Sequence, residues 1–294
     1  MEGNANVAEN RPRPSSRPEP VSFSIRADNR SSFLSSFIEV IRYRDVMRSF
    51  ASRNIRLKYK QASLGFLWAI LQPLAFVGIF TVFFDRVAHL SVGGGIPYAA
   101  FSMSVVIPWQ FVANTTSQAS AALLAESGTV RKVYFPKETA VIGVVMSSIV
   151  DLGIGVALLL VVSPLLGANL GINLLFVPAL MIAIILPVIA VSLPLASLYV
   201  YYRDVRFALP LLIQLWMYAS PVVYPLTKVP QHWRLPYAFL NPVVGQLYGF
   251  FRVVAVGAPP DWELLGASLL SSCVILQIGH AIFRRLQPRF ADVI

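Results

Sequence analysis

Apolar stretches of about twenty residues, separated by short charged segments, constrain this chain more than any other feature. A helix needs roughly 20 mostly apolar residues to cross a hydrocarbon core of about 30 Å. Only helices and closed barrels satisfy their backbone polar groups inside a bilayer, and these runs are continuous rather than alternating. The sequence therefore predicts an all-α integral membrane protein with six transmembrane helices, at residues 64–84, 98–124, 139–166, 174–200, 207–224 and 263–283.

The positions of the basic residues predict how the chain is oriented. Twenty of the 24 Lys and Arg residues fall on one side of the predicted spans, and four fall on the other. Cytoplasmic segments of membrane proteins carry this excess, so both termini are expected in the cytoplasm. The net charge of +10 is then a topology signal. Nucleic acid is not expected as a partner, because its binding needs basic and aromatic residues on a soluble face.

The region before the first span divides into two parts. The first thirty residues are polar and contain Pro and Ser without an apolar run, and residues 1–40 are predicted to form a disordered cytoplasmic tail. Asp45 can cap a following helix that runs to about Lys58, with a basic face that includes Arg48 and Arg56. Such an amphipathic helix is expected at the membrane interface, either as a topology anchor or as a surface that also touches a cytoplasmic partner.

Four sequence blocks resemble one known family. The first runs from Arg56 to Trp68 (RLKYKQASLGFLW) and continues with Leu71-Gln72-Pro73. The others are VRKVYFPKE at 130–138, YYRDV at 201–205 and FRRLQPRFAD at 283–292. Together they are similar to the ABC type-2 exporter permeases of the polysaccharide and polyol-phosphate branch, which includes O-antigen, capsule and teichoic acid exporters. The resemblance assigns residues 41–294 to one transmembrane domain.

This resemblance implies a function and a set of partners. The chain would be the permease subunit of an ATP-driven exporter, a homodimer joined to two copies of an ATPase subunit. The complex would move a lipid-linked polysaccharide from the cytoplasm across a bacterial inner membrane. The chain has no Gly-x-x-x-x-Gly-Lys-Ser/Thr loop and no Cys/His metal spacing, so no cofactor is expected here and ATP-Mg would bind to the partner subunit.

The predicted cytoplasmic segment at 126–138 combines basic and aromatic residues. Aromatic residues with Arg are enriched in protein interfaces, and the resemblance implies that this segment seats in the ATPase subunit. The alternative is an ordinary positively charged loop at the headgroup level. In this prediction Tyr134 and Phe135 are both exposed. The full predicted interface is Arg131, Lys132, Tyr134, Phe135, Pro136, Lys137 and Glu138, together with Arg48 and Arg56 of the amphipathic helix.

Aromatic residues in the second and fifth spans are candidates for a translocation path. Sugars present apolar CH faces, so aromatic surfaces suit a path that passes them without trapping them. The predicted path residues are Trp216, Tyr218, Trp109 and Phe111. The alternative for these residues is the aromatic belt found at membrane interfaces.

Asp151 is the one acidic residue well inside a predicted span, near mid-bilayer. Ionisable residues at this depth are costly and are functional candidates. One interpretation is a gate or relay group facing water. The other is a structural hydrogen bond to Ser147, Ser148 or a neighbouring helix.

The predicted external segment at 225–261 is too apolar for a free loop. Two helical stretches of sub-span length, 235–240 and 243–256, are separated by Asn241-Pro242. Runs of this length predict two short external re-entrant helices, which the resemblance assigns to an external gate. The predicted gate residues are Asn241, Pro242, Tyr237 and Phe239, with Asn241 able to cap the second stretch.

Two other functions remain open from the sequence. The first is an exporter of a drug or a small lipid. The second is a membrane-embedded glycosyl or acyl transferase, for which Asp204 beside Arg203 is a weak hint. A capped turn is the simpler interpretation of Asp204.

Overall fold

The computed structural model describes residues 39–60, 65–87, 89, 92–132, 134–202 and 204–290, so the predicted tail at 1–40 lies outside it except for its last two residues, which are helical. The described residues form an all-helical bundle without strands. The first half contains α1 (Arg44–Lys60), α2 (Gly65–Phe80) followed by a π-helical turn (Thr81–Val87), α3 (Tyr98–Ala125), α4 (Ser127–Lys132) and α5 (Glu138–Val162) followed by a 3-10 turn (Ser163–Leu166).

The second half begins with a 3-10 turn (Ile172–Phe176) that leads into α6 (Val177–Ala183). The elements after it are α7 (Ile185–Tyr201), α8 (Val205–Tyr218), a 3-10 turn (Leu226–Lys228), α9 (Gln231–Leu240), α10 (Val244–Phe250) with a π-helical extension (Phe251–Val256), α11 (Trp262–Leu286) and a final 3-10 turn (Gln287–Arg289).

Three of the six predicted spans coincide with helices that are long and apolar enough to cross a membrane, namely Glu138–Leu166, Ile172–Tyr201 and Trp262–Leu286. The number of membrane-crossing candidates among the described residues rises to four if the bent pair α9–α10 counts as one span. The second predicted span corresponds to α3, which has 28 residues. The first and fifth correspond to shorter apolar helices. The fold is that of a multi-pass membrane protein, and the number of six spans stays a prediction.

Two predicted helix limits are wrong. The fifth span was expected to continue to residue 224, but α8 ends at Tyr218 because the chain turns at Ala219 and Ser220 ahead of Pro221. Asp45 does not cap α1, which begins at Arg44 and places Asp45 in its first turn. The carboxylate of Asp45 instead lies 3.8 Å from the guanidinium of Arg48.

Helix α3 is the centre of the bundle and packs against α2, α5, α7 and α10. Small residues allow the close helix crossings. A Cβ at Gly155 of α5 would lie 2.9 Å from Ile107 of α3, and one at Gly279 of α11 would lie 2.9 Å from the carbonyl oxygen of Ala190 in α7. Small residues at such crossings are typical of helix packing in membranes.

The α9–α10 pair lies where two short helices were predicted, and the two helices are bent by 116°, as in a broken span or a re-entrant loop. Residue Ser268 of α11 holds the pair, because its hydroxyl accepts from the Gly245 amide at 2.8 Å and donates to the Ala238 carbonyl at 3.0 Å. Asn241 does not cap the second helix, which begins at Val244 with Val243 as its cap residue. Asn241 instead ends α9.

Candidate coupling surface and translocation path

The segment between α3 and α5 presents one aromatic side chain outward and one inward. The side chain of Tyr134 is 62% exposed, whereas that of Phe135 is 4% exposed. The Phe135 ring lies 5.5 Å from the ring of Phe50 in α1. The expectation that Phe135 is exposed is therefore wrong, because the apolar face of α1 covers it. Pro136 is also buried.

The apolar face of α1 packs on α5 rather than standing apart from the bundle. Met47, Phe50 and Ala51 are buried, and a Cβ at Gly143 of α5 would lie 2.9 Å from the Cβ of Phe50. The absence of a side chain at Gly143 lets the two helices meet at this point.

Polar contacts at two points tie α1 to the bundle. Arg53 pairs with the buried Glu126 at the end of α3. The ammonium of Lys58 and the hydroxyl of Tyr59 both bind the carboxylate of Asp151 in α5. Burial, and next the hydrogen bond to Asp151, raises the pKa of Tyr59, which keeps its hydroxyl protonated as a donor.

These contacts bear on the two interpretations of Asp151. Ser147 and Ser148 donate to the carbonyl of Val144 and not to Asp151. The structural interpretation is supported, but the partners come from α1. Because a lone carboxylate in an apolar helix is costly, the Lys58 and Tyr59 donors explain how Asp151 is accommodated.

The remaining predicted coupling residues separate into exposed and inward groups. Arg48 and Arg56 are exposed on α1. Lys137 lies 5.4 Å from the centre of the Phe290 ring and 3.4 Å from the Gln287 carbonyl. Arg131 and Lys132 lie on α4 and their side chains are outside the described set. Among the predicted coupling residues whose side chains are described, Tyr134, Arg48 and Arg56 are the exposed ones.

The buried end of α5 holds a polar cluster that sequence reasoning missed. Glu138, predicted at the coupling surface, is 3% exposed. Its Oε1 lies 3.7 Å from His280 Nε2 and 3.9 Å from Arg284 Nη1, both of α11. These residues are about 140 positions apart in the chain, so local spacing carries no signal of their contact. The presence of a histidine and an arginine on one face of the last predicted span was the available hint.

The predicted path residues occupy three different environments. Trp109 is 4% exposed, and Phe111 is also buried within the described subunit. The ring of Trp216 lies 5.5 Å from that of Trp109, edge to face. Tyr218, two residues further along α8, is 52% exposed. Among the four, Tyr218 offers the open surface, and Trp216 contacts the buried Trp109.

Asn241 connects the end of α8 to the α9–α10 pair. Its Oδ1 accepts a hydrogen bond from Trp216 Nε1 at 3.0 Å. Its Nδ2 donates to the Ala219 carbonyl and to the Ser220 hydroxyl, each at 2.9 Å. The hydroxyl of Tyr237 also donates to the Ala219 carbonyl, at 2.7 Å. Predicted path and predicted gate residues are thus joined in one network.

The other two predicted gate residues flank this network. Phe239 is exposed. The carbonyl of Pro242 accepts from the hydroxyl of Ser272 in α11 at 3.3 Å. Asn241 and Pro242 therefore hold the bend of the pair, one toward α8 and one toward α11.

Asp204 stands directly before α8, and its side chain makes no capping hydrogen bond there. Within the described ranges, no group of three or more His, Cys, Asp or Glu residues has the spacing to hold a metal ion.

The apolar helices, the amphipathic helix packed on their end and the bent helix pair define a membrane transport protein rather than a soluble domain. Residues 46–254 match the ABC-2 type transporter family, and the chain belongs to that family.

The chain is also similar to named permeases. It is 26% identical over 258 residues to the O-antigen export system permease protein RfbA of Myxococcus xanthus, an alignment that covers 87% of this chain and 98% of the relative. It is 21% identical over 253 residues to RfbA of Klebsiella pneumoniae, with 85% and 95% covered. It is 24% identical over 243 residues to the polysialic acid transport protein KpsM of Escherichia coli, with 79% and 90% covered.

Proposed function

We propose that this chain is the permease subunit of an ATP-driven exporter that moves a lipid-linked polysaccharide, similar to an O-antigen, outward across the bacterial inner membrane. The observation that carries the proposal is the end-to-end match to named glycan export permeases, of which up to 98% is covered. A drug or small-lipid exporter of the same family is the alternative, and an embedded transferase has less support.

The energy source is assigned to a separate partner. The sequence contains no Gly-x-x-x-x-Gly-Lys-Ser/Thr loop, which is the motif that cradles nucleotide phosphates. Two copies of an ATPase subunit would bind ATP-Mg and deliver the work of hydrolysis to the permease. No other cofactor is proposed for this chain.

The coupling surface is assigned to Tyr134 with Arg48 and Arg56. Exposed tyrosine and arginine side chains are typical interface anchors. The adjacent Phe135 is buried and packs on Phe50 of α1. A movement of the segment at Tyr134 would therefore be transmitted to α1 through this contact. The Lys58–Asp151 contact then links α1 to the middle of α5.

A homodimer is proposed from the unpartnered face of α8. This 14-residue helix has one buried side chain, Leu209. Phe207, Leu211, Leu215 and Tyr218 are all exposed, and at 100° per residue they fall within about 80° of one another. A second copy packed on this stripe would cover it and place Tyr218 at the subunit boundary, where a path for the glycan would run.

Both termini are proposed to be cytoplasmic, which places α9 outside. Cysteines introduced one at a time at Gln231 and Lys132 test this orientation with a membrane-impermeant thiol reagent on intact cells. Label is expected on the first position and not on the second. Labelling of Lys132 from outside would contradict the orientation.

The export function is tested by an in-frame deletion of this chain in its source organism. Surface polysaccharide is expected to disappear while the lipid-linked glycan accumulates inside the cell, and a plasmid copy should restore export. A transferase would instead stop the glycan from being made, so absence of the internal glycan would favour that alternative. Unchanged surface glycan would contradict both.

A further inference from the structure

A cavity of about 570 Å³ opens on a face of the bundle away from α8, between α5, the α6–α7 pair and α11. Ligand pockets are commonly about 300–1,000 Å³. Its wall includes Ile142 of α5, Ile182 and Leu193 of α6 and α7, and Leu276 of α11. Among the described lining residues, Glu138 and His280 are the polar ones. The cavity is thus an apolar groove with one polar end.

The length of this groove matches one leaflet of a bilayer. Its wall extends along the chain from Ala179 to Leu193 and from Leu269 to His280. Eleven to fourteen residues of helix correspond to about 16–21 Å, and half of a hydrocarbon core is about 15 Å. An apolar chain reaching from the headgroup level to mid-bilayer would therefore fill it from end to end.

The polar end has an unmet requirement for a hydrogen-bond donor. Glu138 is 3% exposed, and neither carboxylate oxygen accepts a hydrogen bond from another residue in the described part of the chain. His280 and Arg284 approach at 3.7 Å and 3.9 Å, which is beyond hydrogen-bond distance. An ionised carboxylate is an acceptor only, and burying it without donors is costly. A ligand with an ammonium group would supply up to three donors.

We propose that this groove binds a phospholipid with a primary ammonium headgroup, such as phosphatidylethanolamine. One acyl chain lies between α5, α7 and α11, the ammonium binds the Glu138 carboxylate, and the phosphate faces the Arg284 guanidinium. A headgroup that carries only negative charge would meet repulsion from Glu138. This site is distinct from the coupling surface and from the α8 face.

Photo-crosslinking of the full-length protein in vesicles tests the proposal. The probes are phosphatidylethanolamine and phosphatidylglycerol that carry the same diazirine acyl chain, and labelled peptides are mapped by mass spectrometry. We expect the ethanolamine probe to label the peptides of α6–α7 and α11 several-fold more than the glycerol probe. Filling the groove with Ala183→Phe should lower this labelling by about tenfold. Ala281→Phe, the same change on an exposed face of α11, is the matched control and should leave it unchanged.

A second variant separates the headgroup contact from the chain contact. Glu138→Gln should abolish the preference for the ethanolamine probe while labelling of the groove by both probes persists. Equal labelling of the wild type and Ala183→Phe, or a preference for phosphatidylglycerol, would overturn the proposal. Phe37→Asp tests whether the chain's own residues 33–38 fill the groove instead of a lipid. Labelling that rises several-fold in this variant would overturn the proposal, because this segment would then be the natural occupant.

Discussion

Substitutions of the adjacent residues Tyr134 and Phe135 should change different properties of the protein. Phe135→Ala should change its stability, and Tyr134→Ala should change its binding of the ATPase subunit. Phe135 is 4% exposed and packs on the Phe50 ring, so Phe135→Ala should lower the free energy of unfolding by about 3–5 kcal/mol. Tyr134 is 62% exposed, so Tyr134→Ala should change it by no more than about 0.5 kcal/mol. The loss in the second variant should instead be in binding of the ATPase subunit.

The size of the binding loss follows from the role assigned to Tyr134. Truncation of an interface anchor costs about 2 kcal/mol or more, which corresponds to roughly 30-fold weaker binding. Thermal unfolding of the purified permease and titration with the purified ATPase subunit measure the two effects. Trp233→Ala, which removes an exposed aromatic side chain from α9, is the control and should change neither.

Two outcomes would refute this reasoning. If Tyr134→Ala lowers the unfolding temperature as much as Phe135→Ala does, the two side chains are not divided between surface and interior. If ATPase binding is unchanged in Tyr134→Ala, the coupling surface lies elsewhere and the loop is an ordinary charged connection.

Three further changes test contacts within the subunit. Asp151→Asn should lower the free energy of unfolding by about 1 kcal/mol, because Lys58 is nearly half exposed and solvent screens the pair. In a double-mutant cycle, most of that loss should disappear when Lys58 has already been replaced by Met. Zero coupling between the two positions would contradict the pairing. Asn241→Leu leaves the indole N–H of Trp216 without its acceptor, so it should cost about 1–3 kcal/mol and reduce surface glycan; full export would argue against a gate role. Gly245→Ala would put a Cβ 2.7 Å from the Leu265 Cα of α11, and closer still to the Leu264 carbonyl oxygen, so it should cost about 1–3 kcal/mol. Gly266→Ala meets open space, and equal effects of the two changes would contradict the close packing.

The helices were predictable because their signal is local. A run of twenty apolar residues is readable without knowledge of its neighbours, and Glu138–Leu166 and Trp262–Leu286 lie within a few residues of the predicted spans. The bend at Asn241-Pro242 was equally local, since proline removes a backbone donor and interrupts a helix.

The limits of the less regular helices depend on distant contacts and were predicted less well. The sequence of α8 stays apolar to Tyr224, yet the helix ends at Tyr218, where Asn241 and Tyr237 bind the Ala219 carbonyl. A helix terminus stabilised by partners some twenty residues away has no counterpart in the local pattern.

The polar contacts of the candidate sites were the least predictable. Lys58 and Tyr59 meet Asp151 across more than ninety positions, and Glu138 meets His280 across about 140. The amphipathic pattern of α1 correctly indicated its apolar face, which is buried at Met47, Phe50 and Ala51, but not which element that face meets. The same limitation explains Phe135, whose burial depends on Phe50 and not on its neighbours in the loop.

ATP-dependent movement of the glycan across the membrane tests the central claim most directly. Inside-out membrane vesicles from the source organism, which expose the cytoplasmic face, would be loaded with the lipid-linked polysaccharide and challenged with an added glycosidase. With this chain present, ATP should make the glycan resistant to the enzyme, and a non-hydrolysable ATP analogue should not. Protection that arises without ATP, or equally in vesicles that lack this chain, would contradict the assignment as an export permease.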